Sequence, residues 1–299
     1  MTKTAVVFSG QGSQFVGMGQ ELYNSYPESK KIFDASGEVK DWCFNGPKEL
    51  LTKTKYTQPA LFTASVAGFE ALKSNNVKVD VVAGFSLGEY AALVASEVIS
   101  FEDCLALVLK RGRWMEEAVP TGGGMAAVLG SDEQTLKDAV AFSGAQAVNY
   151  NAPGQVVIAG MNDQLQKATE FLKEKRVKVI PLSVSGPFHS TYMEDVSVKI
   201  KDELHSLSLS TPKIPIMSNV TADYYTDNLA ELIANQVKSP VLWEDTIRRL
   251  IADGVDTFIE VGAGKTLCGL IKKIDNSVKT FYVQDKATLD EMLTEVEKW

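Results

Sequence analysis

One serine stands between two glycines where an apolar run gives way to a helix-forming one. The stretch AGFSLGEY covers residues 83–90, with Gly84 and Gly88 on either side of Ser86. A tight strand-to-helix turn needs small neighbours and leaves the hydroxyl at its apex exposed. A serine hydroxyl is a weak nucleophile near neutral pH, so a base must take its proton as it attacks. The chain has two histidines. His205 falls at the end of an amphipathic segment and reads as an ordinary helix-end histidine. His189, in GPFHS, leads into the next helix and is the expected base.

Other residues could complete such a site. The segment FSGQGSQ (8–14) is either a plain glycine-rich turn or an oxyanion hole, in which a backbone N–H meets developing negative charge. The amide of Leu87, just after the nucleophile, would be the second donor. Arg111, in VLKRGRWM, is either a solvated helix-end cation or a planar guanidinium that grips a substrate carboxylate at two points. The stretch EVGAGKT (260–266) looks like the end of a phosphate-binding loop, but Ile259 stands where that motif needs glycine, so it reads as a strand-to-helix turn. The stretch NAPGQVVIAG (151–160) reads as a turn into a strand.

These residues need a frame. Short apolar runs at Ala5–Phe8, Val79–Ala83, Ile214–Ser218, Thr257–Val261 and Thr280–Val283 read as buried strands. Helix-like segments such as Gln58–Leu72 and Phe101–Met115 separate many of them. The alternation predicts an α/β fold, a mostly parallel sheet with helices on both faces. The middle differs. After a hinge-like Gly122-Gly123-Gly124, the predicted order is β-α-β-β-α-β, a ferredoxin-like unit. It is expected as a small subdomain at 123–186, inserted into a larger one made of 1–122 and 187–299.

Composition sets outer bounds. With 45% apolar and 23% charged residues the chain reads as a globular protein. A net charge of −8 argues against nucleic acid as the main partner. No apolar run is long enough for a bilayer, and the N-terminus lacks a signal-peptide pattern. Cys43, Cys104 and Cys268 have no zinc spacing and cannot all pair within one chain, which favours a reducing cytoplasm. Cys104 is expected in the core. Asn219-Val220-Thr221 matches a glycosylation sequon that means nothing without secretion.

Taken together, GQGSQ (10–14), TQPALFTASVA (57–67), GFSLGEYAAL (84–93), RG with Met115, NAPGQVVIAG, GPFHS (186–190) and SPVLW (239–243) resemble one family. It is the malonyl-CoA:acyl carrier protein transacylases of bacterial fatty acid synthesis, with the acyltransferase domains of polyketide synthases. The resemblance runs from residue 4 to about 285. It implies a hydrolase-like α/β core with a ferredoxin-like insertion, and a ping-pong transfer from malonyl-CoA to acyl carrier protein. It implies Ser86 as nucleophile, His189 as base and then acid, and Gln11 and Leu87 as backbone oxyanion donors. Gln236 matches the position whose backbone carbonyl orients the histidine. Arg111 would pair with the malonyl carboxylate, and Phe188, Phe85 and Met115 would meet substrate. Many members carry His where this chain has Phe85; a bulky residue at Phe188 goes with malonyl, since it clashes with an α-methyl group. No metal and no bound cofactor are implied, coenzyme A being a substrate, and a monomer is expected. Lys272 and Lys273 are either a solvated helix face or part of a patch for an acidic carrier protein. A serine esterase or thioesterase, and a silent scaffold, are the rival readings.

Overall fold

The run Thr4–Phe8 is buried at all five residues and forms β1. A strand apolar on both faces belongs inside a sheet covered by helices. In the computed structural model, which describes residues 2–119, 121–184 and 186–296, β1 does sit inside. It pairs in parallel with β2 (Val81–Gly84) on one side and with β7 (Thr257–Val261) on the other, and β7 pairs in parallel with β8 (Lys279–Val283). The order is β2-β1-β7-β8. Side chains alternate across the sheet. Val6 and Phe8 join a core with Leu61 and Phe62 of helix Thr54–Ser74, while Ala5 and Val7 pack with Trp243, Ile247, Leu267 and Ile271. Helices therefore cover both faces.

A second sheet is antiparallel. It contains β3 (Gly123–Leu129), β4 (Gln146–Ala152), β5 (Gln155–Met161) and β6 (Lys178–Pro181), in the order β4-β5-β3-β6. Helices Glu133–Ser143 and Asn162–Glu174 connect the strands and pack on one face through Leu136, Ala139, Ala168 and Leu172. The opposite face gives Met125, Val157 and Ala159 to the large core.

Two expectations fail locally. Ile214–Ser218 is not a strand; it makes one bridge, Val82 to Ile216, along the outer edge of β2. Pro215 has no N–H to give to a ladder, and Met217, whose amide still donates to the Val82 carbonyl, also bridges Tyr224 on its other side. The triple glycine is not a hinge. Gly123 and Gly124 are paired in β3 with Met161 and Gly160, because ladder hydrogen bonds need only backbone.

Cys43 and Cys104 are buried and Cys268 is half-buried, all as free thiols. Among the described residues no helix is long and apolar enough to cross a membrane.

Candidate active site

The registers place Phe8 beside both Gly84 and Val261. The loops leaving β1 and β2 thus emerge side by side at the carboxyl ends of their strands, next to the β1–β7 boundary where the sheet order reverses. Open α/β sheets bind ligands there. The β2 loop is the serine elbow. Ser86 has φ +52, in the left-handed region. A Cβ on Gly84 would lie 2.0 Å from the Gly88 carbonyl carbon, and one on Gly88 would lie 2.1 Å from the Phe8 carbonyl oxygen. Only glycine lets helix Gly88–Ala95 start this close to the strands.

His189 reaches the serine from the far end of the second sheet's exit segment. It too is left-handed, with φ +59, and its amide donates to the Val237 carbonyl at 3.0 Å. Ser86 Oγ lies 2.7 Å from His189 Nε2, and His189 Nδ1 lies 3.0 Å from the Gln236 carbonyl oxygen. A carbonyl can only accept, so Nδ1 carries the proton and Nε2 is free to take one from Ser86. No carboxylate is needed to set the tautomer.

Burial, and next the charge of Arg111, lower the His189 pKa to about 4; backbone hydrogen bonding at Gln236 and Ser239 works the other way. The imidazole is therefore neutral, and able to accept a proton, throughout the neutral range. Its folded value lies below the ordinary 6.5, so its contribution to stability is present above that value and is lost as pH falls toward the folded one. The acid limb of the acylation rate should accordingly lie below about pH 5.5, not at an ordinary histidine value. A pH–rate profile with its limb at the ordinary value would contradict this environment.

Arg111 is fully buried, which removes the solvated-cation reading. Nη1 donates to Gln58 Oε1 at 2.6 Å, and Nη2 donates to Gln236 Oε1 at 3.0 Å and points at Ser86 Oγ from 3.5 Å. Its guanidinium lies over the Tyr90 ring at 5.0 Å. Gln236 stands between it and Glu89, donating to Glu89 Oε2 at 2.8 Å. The cation beside the nucleophile thus has amide partners rather than a paired carboxylate. Burial pushes the Glu89 carboxyl up to about 7, against the pull of Tyr225, Gln236, Asn219 and Arg111.

A cavity of about 250 Å³ opens onto Ser86 and His189. Gln11, Phe85 and Leu87 line it from the parallel sheet, and Met115 and Phe188 also border it. Among the described residues the amides of Gln11 and Leu87 have no protein acceptor, as oxyanion donors require. Phe85 lies against the edge of Trp243, with centroids 5.5 Å apart. The other wall belongs to the antiparallel sheet. There Asn149 and Asn151 are buried, and among the described residues neither Oδ1 has a protein partner. Arg111 and Gln236 do not line the cavity; they stand behind Ser86 and Gln58, on the parallel-sheet side. His205 is exposed at the end of helix Glu194–His205, away from the cavity. Lys273 Nζ donates to Gln155 at the cavity rim, whereas Lys272 Nζ bonds backbone carbonyls at Asn276 and Val278.

Gln58, Glu89, Asn149, Asn151 and Asn219 carry this arrangement without having been singled out by type or spacing. Each is an amide or acid in an apolar setting, the one signal the sequence offered. Among the described residues no cluster of three or more His, Cys, Asp or Glu side chains could hold a metal ion.

Comparison with known proteins identifies the family. Residues 5–287 match the model of the acyl transferase domain. The malonyl CoA-acyl carrier protein transacylase of Bacillus subtilis is 45% identical over 97% of this chain and 96% of its own length. The crystal structure of the malonyl CoA-acyl carrier protein transacylase of Clostridium perfringens superposes with a TM-score of 0.96 at 42% identity, covering 99% of this chain and 98% of that one. A malonyl-transacylase in complex with its type II PKS acyl-carrier protein superposes at 0.94 with 34% identity, over 98% of this chain and all of that one. The chain belongs to the acyl transferase domain family, among its malonyl CoA-acyl carrier protein transacylases.

Proposed function

We propose that the chain moves a malonyl group from coenzyme A to the pantetheine thiol of an acyl carrier protein through an ester on Ser86. The observation that carries this reading is a serine–histidine pair at 2.7 Å with a buried arginine, free of any paired carboxylate, aimed at the same hydroxyl. In the first half, Ser86 Oγ attacks the thioester carbonyl as His189 Nε2 takes its proton. The amides of Gln11 and Leu87 hold the oxyanion. Collapse breaks the C–S bond, and His189 returns the proton to the departing thiolate. The second half runs the same steps with the carrier's thiol as attacker and Ser86 as leaving group. Arg111 holds the malonyl carboxylate, while Phe85, Phe188 and Met115 shape the acyl pocket. Asn149 and Asn151 offer acceptors to the amide N–H groups of the pantetheine arm. The reading needs no resident cofactor or metal.

The same proposal places the protein in the cytoplasm as a monomer, in fatty acid or polyketide synthesis. It divides the chain into a small ferredoxin-like subdomain at 123–186 and a larger part at 1–122 and 187–299. Met1, Pro120, Ser185 and residues 297–299 of those ranges lie outside the described residues. The two separate sheets support that division.

Intact-mass spectrometry after brief exposure to malonyl-CoA tests the transfer. A malonyl adduct should form, and it should discharge when holo acyl carrier protein is added. Malonate accumulating in place of malonyl carrier would favour a thioesterase. The absence of both adduct and acid would overturn the malonyl assignment.

A further inference from the structure

The elbow is held by more than its glycines. The Ser86 amide donates to Asn219 Oδ1 at 2.7 Å, and Asn219 Nδ2 donates to the Gly84 carbonyl at 2.6 Å. One carboxamide therefore spans the turn from the last residue of β2 to the nucleophile. Asn219 is itself fixed. It is 1% exposed, its amide donates to Glu89 Oε1 at 3.3 Å, and its carbonyl accepts from the Leu242 amide at 2.9 Å. On the other flank, the Ser86 carbonyl accepts from Gln236 Nε2 at 2.6 Å. That same nitrogen donates to Glu89 Oε2. The Glu89 carboxyl thus anchors both restraints on the nucleophile's backbone.

Two effects follow. A residue with a Cβ persists in the left-handed region only when its surroundings over-determine it, and here the surroundings are Asn219 and Gln236. The clip also consumes the Ser86 amide. The amides left to meet an oxyanion are those of Leu87 and Gln11, which border the cavity.

We propose that Asn219 is a positioning residue of the acyl transfer: its carboxamide clips Gly84 to Ser86, holds the serine left-handed, and keeps the serine's own amide out of the oxyanion hole. The step it serves rests on the transfer reaction proposed above; the geometry concerns Ser86 alone.

The test compares Asn219→Ala and Asn219→Asp with the wild type, per folded molecule. Two rates are read by intact mass: acylation of Ser86 by malonyl-CoA, and labelling of Ser86 by a fluorophosphonate, which needs no CoA donor. Affinity for malonyl-CoA is read by calorimetry in a Ser86→Ala background. Asn219→Ala should slow both reactions about 100-fold, as small misplacement of a reacting group does, with affinity changed less than about threefold. Asn219→Asp keeps the acceptor for the Ser86 amide but, when ionised, loses the donor to Gly84, so it should fall between the two. If the alanine variant does not fold, the aspartate variant decides. Wild-type rates in a folded variant, or a loss seen only in affinity, would overturn the proposal. A wild type that takes the fluorophosphonate but no malonyl would sink the transfer reading and leave the labelling rates to judge Asn219.

Discussion

Ser86→Ala should form no malonyl adduct and should lower transfer by about 10⁴-fold or more. The hydroxyl 2.7 Å from His189 Nε2 is the nucleophile of the mechanism. The variant keeps the Gln11 and Leu87 amides and the cavity wall, so malonyl-CoA should still bind. Calorimetry would show this. Adding His189→Ala should cost almost nothing further, because a nucleophile and its base act as one unit. An adduct on the alanine variant would place the chemistry elsewhere and end this mechanism.

Arg111→Ala should fall unequally on two substrates. Malonyl transfer should drop by about 10²–10³-fold, the size expected for losing a buried, hydrogen-bonded charge pair. Acetyl transfer should lose much less, since acetyl has no carboxylate to hold. The comparison has to allow for what else Arg111 touches. It supports Gln236, whose carbonyl orients His189, and its charge lowers the histidine's pKa. Removing that charge should move the acid limb of both reactions to higher pH. The substrate comparison therefore belongs at about pH 8, where the imidazole is neutral in either protein. Equal loss of malonyl and acetyl transfer there would make Arg111 a support for Gln236 rather than a substrate ligand.

What could be read from the chain divides by the range of the interactions. Ser86 with Gly84 and Gly88 is a local pattern, since the turn itself dictates those types. The buried strands Thr4–Phe8 and Thr257–Val261 were legible for the same reason. Ile214–Ser218 misled because its composition is strand-like, while beside Pro215 it makes a single bridge to β2 and one to Tyr224. Gly122–Gly124 misled in the opposite direction: partners in β5 extended what the local sequence would leave loose. Asn219 was invisible for a different reason. It matched a sequon, yet its side chain is buried against an elbow 133 positions earlier. Glu89 read as a helix residue, although its carboxyl gathers Tyr225, Gln236 and the Asn219 amide. No periodicity reports a partner that far away.

Ser86 and His189 share a left-handed backbone, and this bears on how the protein comes into being. An L-residue in that conformation stands roughly 1–2 kcal/mol above its ordinary state, so neither segment adopts it unaided. Their restraints arrive from remote sequence: Asn219 for the serine, and Val237, through its carbonyl, for the histidine amide. Helices and the β1–β2 pair can form while the reactive pair is still unformed. Catalytic competence therefore waits on contacts between distant parts of the chain. Recovery of activity on refolding should lag recovery of helical signal, and a ribosome-bound fragment ending before residue 219 would be inert, lacking Asn219 together with β7 and β8.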